Sequence, residues 1–295
     1  MATAEATVEL DELTLSGRIV RFLSKTPVHI ALVLIAIVWL IPTLGLAVTS
    51  FRPRPDISSS GWWDVIKDPT FTLHNYGRVL HAEGMGQSFL SSLFITVPST
   101  LIPLTVGALA AFAFAWIRFP LRDTAFLAVV ALMVVPIQTS LVPLLKLFRT
   151  LGVTDTYVGI WLAHSAFGLP LAIFLLRNFF ITLPRDLIEA ARIDGASNFR
   201  VFWRLVVPLS VPAIASYAIF QFLWVWNDLL MALIFIQNPS QRPMTLKIND
   251  LLSTYGQEWH LLSSGAFLLM IVPLLVFFSL QRYFVQGLLA GSVKT

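Results

Sequence analysis

The chain has 295 residues, of which 57% are hydrophobic and 12% charged, and its mean hydropathy is +0.79. A soluble domain carries about a quarter charged residues, so this composition argues against a soluble enzyme. The absence of cysteine excludes disulfides, thiolate metal sites and thiol nucleophiles. The net charge of +4 is small, and where the charges sit matters more than their sum.

A segment of about 27 residues precedes the first apolar run. Six uncharged runs long enough to cross a bilayer then follow, since a crossing needs roughly 20 apolar residues. They are Ile30–Thr49, Phe89–Ile117, Thr124–Leu145, Tyr157–Leu176, Leu205–Ile236 (interrupted by Asp228) and Leu261–Gln281. The expected fold is therefore all-α and polytopic, with six transmembrane helices over 28–286. A tail at 287–295 completes the chain. Strand periodicity is absent, which excludes a β-barrel. The first run is too long for a signal core, and no small-x-small cleavage site follows it.

Twelve Lys and Arg residues fall in the N-terminus, 118–123, 177–204 and the C-terminal tail, against eight in 50–86, 146–156 and 237–260. The excess places both termini in the cytoplasm. Six crossings also require the termini to share a side. Of the outer segments, the first holds Gly61-Trp62-Trp63 and Asn75-Tyr76, and the third holds Trp259 and His260. Aromatics beside a membrane read first as an interfacial belt.

The informative cytoplasmic segment is the loop 178–207 between spans four and five. Pro184 suits a first helical position, and Asp186 sits in the first turn, where the helix dipole favours an anion. Leu187, Ala190, Ala191 and Asp194 follow at helical spacing. Gly195 suits a C′ position, and Ser197 can cap a second helix starting near Asn198. Pro208 then enters span five. Helix, tight turn, helix is the expected local structure.

Polar residues inside spans are costly and mark candidate functional sites: Gln138, His164, Gln221, Asn227 and Asp228. Phe220, Trp224 and Asn227 share a helix face, and aromatic faces with planar amides are the groups that bind sugars. Asp228 is expected near the outer end of span five, pairing with Lys146 or fixing the turn after the helix. Prolines 98, 103, 136, 143, 170, 212 and 273 fall within spans and permit kinks.

The segment Glu189-Ala190-Ala191-Arg192-Ile193-Asp194-Gly195-Ala196, continuing to Leu205-Val206-Val207-Pro208-Leu209, resembles the cytoplasmic signature of ABC importer permeases. That signature is Glu-Ala-Ala, three residues, Gly, nine residues, Ile, one residue, Leu-Pro; here Leu205 and Val207 replace its Ile and Leu. The Asp-Gly-Ala extension, Trp226-Asn227-Asp228 and the tail Gln286–Lys294 are similar to the smaller six-span subunit of the carbohydrate-uptake, maltose-type branch. The resemblance implies a type I permease fold and a coupling helix that docks on a separate ATPase. Glu189, Ala190, Ala191, Asp194, Gly195, Ala196, Phe199 and Phe202 would form that contact, Phe202 having packing under the membrane-facing side of the loop as an equal alternative. Gly287, Gly291 and Ser292 of the tail would contact the ATPase as well, and ATP and Mg would be held by that partner.

The chain has no Gly-x-x-x-x-Gly-Lys-Ser/Thr loop of its own, so energy must come from elsewhere. The implied partners are a second homologous permease, two ATP-binding subunits, an extracytoplasmic sugar-binding protein, a sugar and membrane lipid, with no nucleic acid. The implied location is a bacterial plasma membrane, and the outer segment Phe51–Tyr76 looks most like permeases for α-glucosides. A secondary transporter would need a midplane cluster of ionisable groups, and a membrane enzyme would need a catalytic constellation. Neither is visible, and His29, His74, His81, His164 and His260 are scattered.

Overall fold

The computed structural model describes residues 15–81, 83–254 and 258–290, with side chains from 26 to 281 apart from 82 and 253–257. Among these the architecture is helical throughout, in thirteen elements used below: α1 (Leu15–Phe51), α2 (Arg54–Ser59), α3 (His74–His81), α4 (Met85–Trp116), α5 (Arg122–Ala131), α6 (Ile137–Leu151), α7 (Tyr157–Phe180), α8 (Arg185–Ile193), α9 (Asn198–Val201), α10 (Val211–Trp226), α11 (Leu230–Phe235), α12 (Met244–Thr254) and α13 (Trp259–Ala290). The chain is a multi-pass membrane protein. Four helices are long and apolar enough to cross a membrane singly, and two bent pairs bring the number to six.

The bent pairs correct two of the runs expected to cross as single helices. The third span breaks between α5 and α6, whose axes differ by 102°. Pro136 has no N–H and biases its predecessor away from helix; Val135 is accordingly extended (φ −70°, ψ 118°). The fifth breaks by 77° at Ser210, between Pro208 and Pro212. Its straight part, α10, has 16 residues, or about 24 Å, and falls short of a full hydrocarbon crossing. The 32 residues of the fifth run are thus divided among the bend at Ser210, α10 and α11.

The body is built on α4, α7 and α10. Gly107 of α4 lies against Ala172 of α7 so closely that a Cβ on it would meet the Ala172 Cβ at 2.5 Å. Small residues let membrane helices approach this way, where dispersion has to replace the hydrophobic effect. By contrast, only 6% of the apolar stretch Thr26–Phe51 of α1 is buried, so this helix lies outside the body.

The outer end of α1 is fixed by polar bonds. Arg52, 2% exposed, donates to the Gly61 carbonyl at 2.7 Å and to Ser60 Oγ at 3.0 Å. Asn75 Nδ2 donates to the Ser50 and Arg52 carbonyls at 3.0 and 2.9 Å, and Ser264 Oγ donates to the Ser50 carbonyl at 3.1 Å. Tyr76 OH pairs with Ser50 Oγ at 2.8 Å. Asn75 and Tyr76 are therefore structural anchors of the outer segment rather than members of an interfacial belt; Trp63, 60% exposed, fits the belt. Glu258, just before α13, joins Arg54 at 3.2 Å and Arg78 at 3.5 Å across the same platform.

Candidate functional site: the cytoplasmic helix-turn-helix

The loop folds as its punctuation predicts, with a one-residue offset. Pro184 is the N-cap of α8 rather than its first residue. At the other end Asp194 is the C-cap and Gly195 follows at φ +77°. The Gly195 N–H donates to the Arg192 carbonyl and the Ala196 N–H to the Ala191 carbonyl, both at 3.0 Å. This is a Schellman closure, and it requires a left-handed residue at Gly195. Ser197 Oγ then accepts from the Arg200 N–H at 3.3 Å and caps α9.

One face of this unit is welded to the body. Ile188, Val201, Phe202 and Val206 are buried with Ala108, Ala111 and Phe112 of α4, Leu176 and Phe180 of α7 and Ala213 of α10, and Ala191 and Ala196 pack against the same cluster. Phe202 is 2% exposed, its ring 5.4 Å from that of Phe112. It therefore packs on the membrane side of the loop and not on the docking face, on the same side of the segment as the buried Val201 and Val206.

The other face is open. Glu189, Ala190, Asp194, Gly195 and Phe199 are exposed, Phe199 by 67%. The turn is closed by backbone bonds alone, so Glu189 is not needed to cap it. Three exposed apolar residues were not among the expected contact residues: Leu187, Ile193 (86% exposed) and Trp203. For the first two the signal was there, since α8 carries apolar residues on the side away from Ile188 as well as beside it. Arg192 was also missed. Its Nη2 donates to the Trp116 carbonyl at 3.0 Å and to Asn198 Oδ1 at 3.3 Å, tying α8 to the last residue of α4.

The substrate-path candidates separate. His164 is 1% exposed, with its Nε2 3.8 Å from Asp228 Oδ2 and its ring edge-on to Trp224 at 5.3 Å. Asp228 Oδ2 also accepts from the Ala232 N–H at 3.2 Å, so it fixes the turn after α10 and faces His164 rather than Lys146. The space between these groups is about 10 Å³, room for no more than a water. Gln221 is 1% exposed and bonded to its neighbours. In this conformation, then, His164, Gln221 and Asp228 face the inside of the body and not an open path. Phe220 and Asn227 are exposed on the outside of α10 with Trp224 half-buried between them, and Gln138 is exposed in the first turn of α6. Of the tail candidates, Gly287 belongs to the backbone of α13, while Gly291 and Ser292 lie outside the described residues.

Residues 103–289, more than half of the chain, match the family described as binding-protein-dependent transport system inner membrane components. The chain belongs to this family: it is a membrane permease of the carbohydrate-uptake branch of ABC importers, and ATP hydrolysis resides on a separate subunit. It is 54% identical over 285 residues to the osmoprotective compounds uptake permease protein GgtD of Synechocystis sp., covering 95% of this chain and 96% of that one. It is 53% identical to the alpha-glucoside transport system permease protein AglG of Rhizobium meliloti, over 77% of this chain and 61% of the relative. The fold is shared with a bacterial ABC transporter involved in import of the polysaccharide alginate, at TM-score 0.71 and 21% identity, over 92% of this chain and 98% of that one.

Proposed function

We propose that the chain imports an α-glucoside or a related small glucosyl compound, and that the exposed face of α8 and α9 receives the ATPase. The observation that carries the second part is the two-sidedness of the loop. Ile188 and Phe202 root it in the body, while Glu189, Ala190, Ala191, Asp194, Gly195, Ala196 and Phe199, with Ile193, form or support a small protruding surface. A rigid base and an open apolar tip are what a push from a second protein requires. Glu189 is placed to accept a charge-assisted hydrogen bond from a basic group of the ATPase.

Cargo is inferred from the relatives named for alpha-glucosides and for osmoprotective compounds. A solved relative of the same fold is held in complex with an alginate pentasaccharide-bound periplasmic protein. By that likeness a sugar-binding protein docks on the outer face of this chain and a second permease completes the path. Phe220, Trp224 and Asn227 are its contribution to the wall. Two ATPase subunits bind ATP and Mg on the cytoplasmic side of a bacterial plasma membrane, where both termini lie.

The test is to purify the tagged chain from cells producing the whole importer and to assay ATP hydrolysis and uptake in liposomes. An ATPase and a second permease should co-purify, and uptake of an α-glucoside should need ATP. Ile193→Asp should release the ATPase while leaving the permease pair intact. A lone chain that moves sugar on an ion gradient without ATP would overturn the reading.

A further inference from the structure

A proline inside a helix frees the carbonyl four residues before it. Pro98 and Pro103 of α4 and Pro273 of α13 thus free the carbonyls of Phe94, Ser99 and Leu269. Each freed carbonyl meets a side-chain donor from another helix. Trp161 Nε1 donates to Phe94 O at 2.9 Å, Gln221 Nε2 to Ser99 O at 3.2 Å, and Trp226 Nε1 to Leu269 O at 3.0 Å. The Gln221 amide is held in that sense because its Nε2 faces two carbonyls, Ser99 O and, at 3.5 Å, His164 O, while its Oε1 lies 3.2 Å from Tyr217 OH, whose one proton is shared with Gly168 O at 3.0 Å. Gly168 leaves the room, since a Cβ there would stand 2.7 Å from the amide.

Two of the three donors lie on α10. A separation of five residues sets Gln221 and Trp226 about 140° apart around its axis. Span five therefore grips span two with one side and span six with another, in both cases at a carbonyl that a proline has freed. In hydrocarbon a freed carbonyl has no water to turn to, so these bonds fix which neighbour each one faces.

We propose that Trp161, Gln221 and Trp226 are positioning residues for transport: each latches a proline-freed carbonyl of span two or span six, and the proline joints so held set how these spans move with span five. The inference rests on the permease reading for its transport half only.

The experiment pairs each donor with its proline. Gln221→Met in the full chain, purified in nanodiscs, should lower the melting midpoint by roughly 5 °C. Adding Pro103→Ala restores the backbone bond to Ser99 O and should recover that loss. In the assembled importer Gln221→Met should cut sugar uptake about tenfold while ATP hydrolysis persists. The Gln221→Met, Pro103→Ala pair should not recover uptake, because the proline joint has gone. Failure of Pro103→Ala to recover melting would overturn the latch. Recovery of uptake along with melting would show the joint to be dispensable and overturn the positioning role. Trp226→Phe with Pro273→Ala repeats the test independently should Gln221→Met fail to fold. Loss of ATP dependence in the unaltered importer would instead strike the permease reading and leave the melting result standing.

Discussion

Phe199 and Phe202 sit three positions apart, both aromatic, both in the same short cytoplasmic segment, yet 67% of one is exposed and 2% of the other. Phe202→Ala should destabilise the chain by about 3–5 kcal/mol, as for a buried aromatic beside another ring. Phe199→Ala should leave thermal unfolding unchanged and weaken capture of the ATPase. Unfolding followed by tryptophan fluorescence, together with the pull-down, separates the two. Gly195 makes a different demand. A Cβ there would meet nothing within 4 Å, so only its φ of +77° resists substitution. Gly195→Val should therefore reopen the Schellman turn and abolish coupled ATP hydrolysis, whereas Gly195→Asn, which tolerates the left-handed region, should retain most of it. The glycine and its turn were legible from residue type and spacing. The difference between the two phenylalanines was not, because a spacing of three puts them on neighbouring faces and only the packing of one face against Phe112 and Phe180 decides which ring is buried.

At the level of elements, uncharged runs locate where the chain enters and leaves the bilayer, but they are blind to direction within it. Pro136 and the Pro208/Pro212 pair were visible in the sequence; that they bend their spans by 102° and 77° was not, since a proline is also compatible with a shallow kink. Outer helix α12 escaped for a different reason. Lys247 and Asp250 interrupt it and remove it from a search for uncharged runs, although Met244, Ile248 and Leu251 pack into one cluster at i, i+4 and i+7. The packing of α4 on α7 yields a prediction at this scale. Gly107→Val should separate the two helices and destabilise the body by about 1–3 kcal/mol, and Ala172→Gly in the same chain should return part of that. Melting of the single and double variants in nanodiscs checks it.

For the whole molecule, the lack of cysteine makes the topology directly measurable. Ile66 is 85% exposed on the outer platform and Ile193 is 86% exposed on the cytoplasmic loop. A membrane-impermeant maleimide added to intact cells should label Ile66→Cys and spare Ile193→Cys until the cells are lysed; the reverse pattern would invert the orientation. Charge placement is the sequence signal for this orientation, since it depends on summed Lys and Arg and not on packing detail, and the labelling pattern is its test. The outer platform, by contrast, could not be anticipated, because its bonds join residues remote along the chain. The Ser264 hydroxyl reaches the Ser50 carbonyl across 214 positions. That distance has a consequence for biosynthesis. α1 enters the bilayer first and persists there as an independently stable helix, while its outer end waits for a partner that the ribosome has not yet made. The platform is therefore among the last parts of the molecule to be completed. A nascent chain halted before span six keeps the Asn75 bond to the Ser50 carbonyl but lacks the one from Ser264, and lacks the Glu258 carboxylate that joins Arg54 to Arg78, so the platform closes only when α13 arrives.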